Sequence, residues 1–154
     1  MSIVVNVRFP VVKLPAPLEW QEAIRANGFD VELDCDFDPV IFSGFLPARH
    51  KGRDAGFEYY YDAEGSEEAF VSLVWAGRAR EGASAVVAAA CLCQLTGGEL
   101  EDTEAGEKVS ASDAVAWARR EEAGFLVIAE ENGHPDQQLR HEQPLPARPW
   151  WKFW

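Results

Sequence analysis

The sequence predicts an α+β fold: an antiparallel sheet of about five strands with two or three helices packed on one face. Runs of β-branched and aromatic residues are bounded by glycine and proline, which is typical of antiparallel strands joined by turns. One apolar run, Ala83 to Thr96, has the length of a helix and no polar face. Because such a helix is normally buried, we expect it to pack against the sheet.

Composition favours one well-packed domain, since the chain has 154 residues of which 47% are hydrophobic. We place this domain at residues 1–133 and a tail rich in proline and tryptophan at residues 134–154.

The formal net charge of -12 disfavours binding to nucleic acid or to an anionic membrane surface. The longest apolar run is shorter than the roughly 20 residues that span a bilayer, and the first residues lack a signal peptide's apolar core.

Cysteine usage indicates a reducing compartment. Cys35, Cys91 and Cys93 have neither the number of a disulfide framework nor the spacing of a redox or zinc pair. Buried core thiols are the favoured interpretation for Cys91 and Cys93. We therefore expect a cytoplasmic protein.

The N-terminal half is expected to contain a strand, a helix, an acidic strand and a hairpin. Ser2 to Phe9 is rich in β-branched residues, which predicts the first strand. A helix follows from Leu18 and ends near Gly28. Beyond the acidic segment, Gly44 to Asp62 is predicted to form a hairpin with its turn at His50 to Asp54.

The C-terminal half alternates between apolar and polar segments. Phe70 to Trp75 is apolar on both faces, which predicts a central strand. The apolar helix follows, and then Glu99 to Val109 forms either a strand-turn-strand or a loop. A second clear helix begins near Asp113, whose charge suits the helix dipole. Whether residues 125–131 continue this helix stays open.

The most distinctive segment is Phe29 to Asp38, in which every second residue is acidic. A strand here would place every carboxylate on one face, and each same-face repulsion in water is only on the order of 0.6 kcal/mol. A calcium loop is disfavoured, because Pro39 and Val40 replace its glycine turn and Phe45 stands where a glutamate is required. The segment is either a solvated face or a binding face for a basic protein. Its acids are Asp30, Glu32, Asp34, Asp36 and Asp38.

Basic residues at the predicted hairpin tip and after the predicted central strand form a second candidate site. At the tip they are Arg49, His50, Lys51 and Arg53, and after the strand they are Arg78 and Arg80. This cluster suits an anionic ligand, or His50 acts as an acid or base. Because no serine or cysteine is paired with it in a recognisable motif, an exposed turn is the favoured interpretation. The sequence has no metal-binding or phosphate-loop motif, so we expect neither metal nor cofactor.

Aromatic residues provide further candidate contacts. Tyr60, in the returning arm of the hairpin, either fills part of the core or lines a contact surface. The segment Trp150 to Trp154, which includes Trp151, is too apolar to be comfortably exposed. It either folds back over the domain as a strap or docks into another chain, including a second copy of this one.

Three motifs carry a resemblance to known proteins: Gly44-Phe-Leu-Pro47, Gly56-Phe-Glu-Tyr-Tyr60 and Leu95-Thr-Gly-Gly-Glu-Leu100. Together with the helix that follows, they resemble small acidic bacterial proteins of uncharacterised type, some of them similar to immunity proteins of polymorphic or secreted antibacterial toxins. The resemblance covers Pro39 to Arg120 and implies a cytoplasmic inhibitor that blocks a toxin by forming a tight complex. Independently, the alternating acids suit the masking of a basic active site. The resemblance assigns no individual site residues. The alternative function is a small enzyme or anion-binding domain that uses the basic hairpin tip.

Overall fold

The computed structural model describes residues 2–65 and 67–131 and confirms the α+β class. A six-stranded antiparallel sheet has the strand order β3-β6-β7-β1-β8-β9, and a three-stranded sheet has the order β2-β4-β5. The strands are β1 (Ile3–Pro10), β2 (Val31–Leu33), β3 (Gly44–Leu46), β4 (Ala48–His50), β5 (Arg53–Asp54), β6 (Phe57–Glu64), β7 (Glu68–Trp75), β8 (Glu99–Asp102) and β9 (Glu107–Ser110). The helices are α1 (Pro17–Ala26), α2 (Ala79–Thr96) and α3 (Ala114–Glu131), with a short 3-10 helix at Val11–Lys13.

The large sheet buries alternate residues of its strands, as period-two patterning requires. In β1 the buried side chains are Val5, Val7 and Phe9, and β7 pairs with this strand in antiparallel register from Ile3 opposite Trp75. The predicted central position of β7 is confirmed, because it lies between β6 and β1. Its outward side chains are half-buried rather than buried, so one face of the sheet carries most of the core.

The apolar helix α2 is the centre of the domain, as expected from its lack of a polar face. It contacts strands of both sheets and packs against α1 and α3. The helix ends at Thr96 and is capped by Gly97, whose φ of 70° is a left-handed conformation that favours glycine. At Gly98 an added side chain would collide with the carbonyl oxygen of Arg8, so this glycine permits the close approach of the connection between α2 and β8 to β1.

The predicted acidic strand is correct only at Val31–Leu33, where β2 pairs with β4. Beyond this strand, the Asp34 and Asp38 carboxylates accept backbone N–H groups of residues just ahead of them. Short acidic side chains compete in this way with strand pairing, so the chain turns instead of extending. The prediction of one continuous face of alternating carboxylates is therefore wrong.

The predicted hairpin is correct in its arms and in its turn, where Gly52 has a φ of 81°, but the strands beside the turn belong to the small sheet. Strand β3 pairs with β6, from Gly44 opposite Tyr59 to Leu46 opposite Phe57. Pro47 lacks an N–H donor and separates β3 from β4. Strand β4 belongs to the small sheet and is joined to β5 by a tight turn.

Helix α3 continues to Glu131, which settles the open question about residues 125–131. The tail prediction, including Trp151, falls outside the described residues.

Candidate protein-binding surface

The turn that replaces the predicted strand forms a compact loop at residues 34–42, which we call the acidic loop. The Asp34 carboxylate accepts the backbone N–H of Asp36 at 2.9 Å. The Asp38 carboxylate accepts the N–H groups of Val40 at 2.9 Å and Ile41 at 3.3 Å. These are Asx-type turns, which give a short loop a defined backbone without regular secondary structure.

The start of the acidic loop is fixed by a buried glutamine of α1. The Gln21 side-chain amide donates to the carbonyl oxygen of Val31 at 2.9 Å and accepts the N–H of Leu33 at 2.6 Å. The Gln21 side chain therefore hydrogen-bonds to the backbone of β2, as a neighbouring strand would. The chain leaves β2 with its backbone groups bonded, and the Asp34 N–H is accepted by the carbonyl oxygen of Pro47 at 2.9 Å.

The middle of the acidic loop is held by aromatic packing on Tyr59 of β6. The rings of Phe37 and Phe42 lie 5.3 Å and 6.1 Å from the Tyr59 ring, centroid to centroid. The Tyr59 hydroxyl donates to the carbonyl oxygen of Pro39 at 2.6 Å. Burial, with Tyr61 and Asp38 nearby, raises the pKa of Tyr59, so this hydroxyl keeps its proton and its donor role at neutral pH. The loop is thus fastened to the core.

The tip of the acidic loop exposes two aliphatic side chains next to carboxylates. Ile41 is 78% exposed and Val40 is 56% exposed. Asp36 and Asp38 are exposed within the same loop, while Asp34 is half-buried. Adjacent exposed aliphatics on a braced loop, bordered by like charges, have the composition of a small contact surface with a polar rim.

The two remaining acids of the predicted binding face lie on the small sheet. Glu32 is opposite Arg49 in the β2–β4 register, and Arg49 is opposite Asp54 in the β4–β5 register. The Arg49 Nε lies 3.6 Å from the nearer Asp54 carboxylate oxygen. Burial lowers the pKa of Arg49, whereas Asp54 and Glu32 raise it. The charge of Glu32 is therefore partly compensated, and Asp30 is exposed just before the strand.

His50 is fully buried, so its interpretation as part of an exposed turn is wrong. Its Nε2 lies 2.8 Å from Oε2 of Glu122 in α3, and its Nδ1 lies 3.2 Å from Nη1 of Arg80 in α2. Because arginine only donates, Nδ1 accepts and the proton resides on Nε2, which donates to Glu122. This imidazole joins the small sheet to two helices. It has no solvent-exposed surface with which to meet a substrate.

The structure places Arg49 in β4, Arg53 in β5 and Arg78 before α2. Arg53 is half-buried in β5 opposite His50, and Arg78 is exposed just before α2. Arg80, which contacts His50, belongs to the predicted basic cluster, whereas Glu122 was not predicted. Both lie far from His50 in sequence, 30 and 72 residues away, and no local pattern marks the pairing.

Tyr60 belongs to the side of the large sheet opposite α2 and is 40% exposed. Its hydroxyl donates to the Glu58 carboxylate, and this bond raises the pKa of Tyr60.

Across the described ranges, no group of three or more His, Cys, Asp or Glu side chains is arranged to hold a metal ion. None of the helices described is long and apolar enough to cross a membrane.

Comparison with protein-family models, with curated proteins and with solved structures gave no match. The candidate surface is therefore defined by its own geometry: a braced acidic loop with an aliphatic tip.

Proposed function

We propose that this chain is a non-enzymatic protein-binding module that docks a basic partner through the acidic loop. The observation that carries the proposal is the exposure of Ile41 and Val40 on a loop whose backbone is held by Tyr59 and by two Asx-type turns. An exposed aliphatic pair costs solubility and contributes nothing to the core. Its placement on a rigid loop is explained if a partner covers it.

The energetics favour this use of the loop. Full burial of an aliphatic side chain such as Val40 or Ile41 stabilises a complex by about 1.5–3 kcal/mol. A loop that is already ordered loses less conformational entropy on docking than a flexible one. The exposed carboxylates of Asp36 and Asp38 add long-range attraction for a basic surface, which raises the association rate more than the affinity.

The partner that we propose is a basic toxin, which would make this chain a toxin-neutralising immunity protein of the cytoplasm. The support is the net charge of -12, the acidic rim of the loop and the resemblance of three structural motifs to such proteins. An acidic protein surface with an apolar anchor suits the masking of a basic active site.

The rival function, an enzyme or anion-binding domain at the hairpin tip, has less support. It would need His50 and Arg49 at the surface of a cavity. His50 is instead buried between Glu122 and Arg80, and Arg49 lies between Glu32 and Asp54.

Stopped-flow association with the product of the neighbouring gene tests the proposal. The double variant Asp36→Asn/Asp38→Asn removes two charges and keeps the side-chain oxygen of residue 38 that accepts the N–H groups of Val40 and Ile41. We expect its association rate constant at low salt to fall by about ten-fold, with little change in the dissociation rate. Glu22→Gln, at an exposed acid of α1, is the control. No complex with the wild type, or equal rates for both variants, would contradict the proposal.

A further inference from the structure

The face of the large sheet opposite α2, which we call the outer face, carries a polar cavity that is separate from the acidic loop. The cavity has a volume of about 240 Å³ and is formed by side chains of four neighbouring strands, β7, β1, β8 and β9. Its lining residues are Asn6, Arg8, Phe70, Glu99, Glu101 and Lys108. Pockets for drug-sized ligands measure roughly 300–1,000 Å³, so this cavity suits a smaller molecule.

Strand register places hydrogen-bond donors on one side of the cavity and carboxylates on the other. Asn6 of β1 is opposite Glu101 of β8. Arg8 is opposite Glu99 in the same register. Because alternate residues of a strand share one face and neighbouring strands lie about 4.8 Å apart, the four side chains form a two-by-two group. A small molecule that carries both a carboxylate and an ammonium would meet groups of opposite sign at each end.

The Asn6 amide is held by a serine of the neighbouring strand. The hydroxyl of Ser72 in β7 donates to Oδ1 of Asn6 at 2.5 Å. Since the oxygen is engaged in this way, Nδ2 carries the two N–H donors that remain. Within residues 2–65 and 67–131, these donors have no acceptor. The half-buried Asn6 therefore offers two positioned donors to a ligand of the cavity.

The charged side chains of the cavity are accessible to a ligand. Nη1 of Arg8 lies 3.6 Å from Oε1 of Glu68, and a guanidinium has five N–H donors with which to bind a further carboxylate. Lys108 is opposite Glu101 in the β8–β9 register, yet no ion pair joins them in the part of the chain that the structure describes. Glu99 is exposed and Glu101 is half-buried, so a cation can reach both carboxylates.

Phe70 gives the cavity an apolar side. This half-buried residue of β7 is opposite Arg8 of β1, and it is the one apolar side chain among the six lining residues named above. Aromatic side chains pack well against other rings and against aliphatic groups. The cavity therefore combines donors, carboxylates and a ring, which are the partners for the three parts of an apolar amino acid.

We propose that this cavity binds a free α-amino acid with an apolar side chain. The α-carboxylate accepts hydrogen bonds from Asn6 and Arg8. The α-ammonium donates to Glu99 and Glu101, and the side chain of the ligand packs against Phe70. A ligand with only one of the two charges leaves half of the polar group without a partner. This binding requires neither the acidic loop nor a protein partner.

An NMR titration of the ¹⁵N-labelled full chain with L-phenylalanine tests this inference. We expect saturable shifts of the backbone amides of Asn6, Phe70 and Glu101, with a Kd of about 1 mM or tighter. Two matched ligands are 2-phenylethylamine, which lacks the carboxylate, and 3-phenylpropionate, which lacks the ammonium. Each should bind about ten-fold more weakly or worse, because it loses the charge-assisted hydrogen bonds on one side of the cavity.

Protein variants identify the groups that hold the ammonium. Glu99→Gln/Glu101→Gln should weaken the binding of L-phenylalanine about ten-fold, while it should not weaken that of 3-phenylpropionate. Glu107→Gln, at an exposed acid of β9 that does not line the cavity, is the matched control and should leave both affinities unchanged. Val40→Ser/Ile41→Ser, in the acidic loop, should also bind L-phenylalanine like the wild type.

Four results would overturn the inference. They are the absence of saturable shifts up to about 10 mM L-phenylalanine, shifts that map away from the cavity, equal affinities for the three ligands, and equal effects of the Glu99→Gln/Glu101→Gln and Glu107→Gln variants.

Discussion

Nε2 of His50 lies 2.8 Å from Oε2 of Glu122, and the two residues come from a three-residue strand and a long helix that are 72 positions apart. The imidazole has no exposed surface, and the Glu122 side chain is 16% exposed. Since the opposite ring nitrogen accepts from Arg80, the histidine links β4, α2 and α3 through one side chain. The small sheet that carries the start of the acidic loop is fastened to the helices at this point.

Removal of the Glu122 carboxylate should destabilise the fold. Glu122→Ala leaves the buried Nε2–H of His50 without its acceptor, and such a loss costs about 1–3 kcal/mol. We expect the free energy of unfolding in urea to fall by this amount at pH 7. Glu130→Ala, at an exposed glutamate later in the same helix, is the matched control and should change it little. Equal stabilities of the two variants would show that the contact does not hold the sheet to α3.

Substitution of the neighbouring acid, Glu121, should raise the free energy of unfolding at pH 7. Burial, together with the charges of Asp102 and Glu107, raises the pKa of Glu121 above its ordinary value of 4.5, and Arg120 opposes this only in part. A raised pKa means that the folded state favours the protonated carboxyl over the ionised one. The stability that protonated Glu121 contributes below pH 4.5 is therefore lost as the pH rises through the folded-state pKa. Glu121→Gln should therefore stabilise the protein at pH 7, by less than about 1 kcal/mol because the group is partly exposed. The gain should vanish below pH 4.5 in urea titrations.

The cysteines of α2 should be inert in the native state. Burial raises the pKa of Cys91 to about 12 and that of Cys93 to about 11, so both remain protonated thiols at pH 8. We expect a thiol-specific disulfide reagent to modify only Cys35, and slowly, because burial and Asp34 raise its pKa too. All three should react in urea. Because these pKa values lie above 9.0, stability should also decline as pH rises past 9.0. Rapid native modification of Cys91 would contradict the buried position of α2.

The hydroxyl of Tyr59 should control the order of the acidic loop. Tyr59→Phe removes the hydrogen bond to the Pro39 carbonyl oxygen, at a cost of about 1 kcal/mol, while it keeps the ring that packs on the loop. Amide hydrogen exchange at Val40 and Ile41 should accelerate. Tyr60→Phe is the matched control, because that hydroxyl bonds an adjacent surface carboxylate outside the loop. Unchanged exchange in both variants would mean that the loop is held by the rings alone.

Sequence periodicity predicted the elements whose pattern matches their final burial. The β-branched run of β1 and the apolar run of α2 are examples, because both are placed by burial of the same residues that define the pattern. The strand predicted from the alternating acids is wrong beyond Leu33, because the Asp34 and Asp38 side chains accept backbone N–H groups two residues ahead of them. The alternation of acids does not reveal this local competition with strand pairing.

The candidate site was only partly accessible from sequence for a second reason. Asp36 and Asp38 were identified by charge, but the exposed aliphatic tip at Val40 and Ile41 was not predicted. Its exposure follows from long-range packing on Tyr59, about twenty residues away, which sequence spacing does not encode. The burial of His50 likewise depends on residues distant in sequence, here Arg80 and Glu122.

Calorimetric titration with the product of the neighbouring gene tests the central claim most directly, with a variant that removes the aliphatic tip and keeps every charge. Val40→Ser/Ile41→Ser should weaken binding by about 2–4 kcal/mol, or roughly 30- to 1,000-fold in Kd, because both side chains are proposed to be buried in the complex. Val12→Ser, at a residue that is 85% exposed outside the loop, should bind like the wild type. Wild-type affinity in the loop variant would show that the acidic loop is not the docking surface.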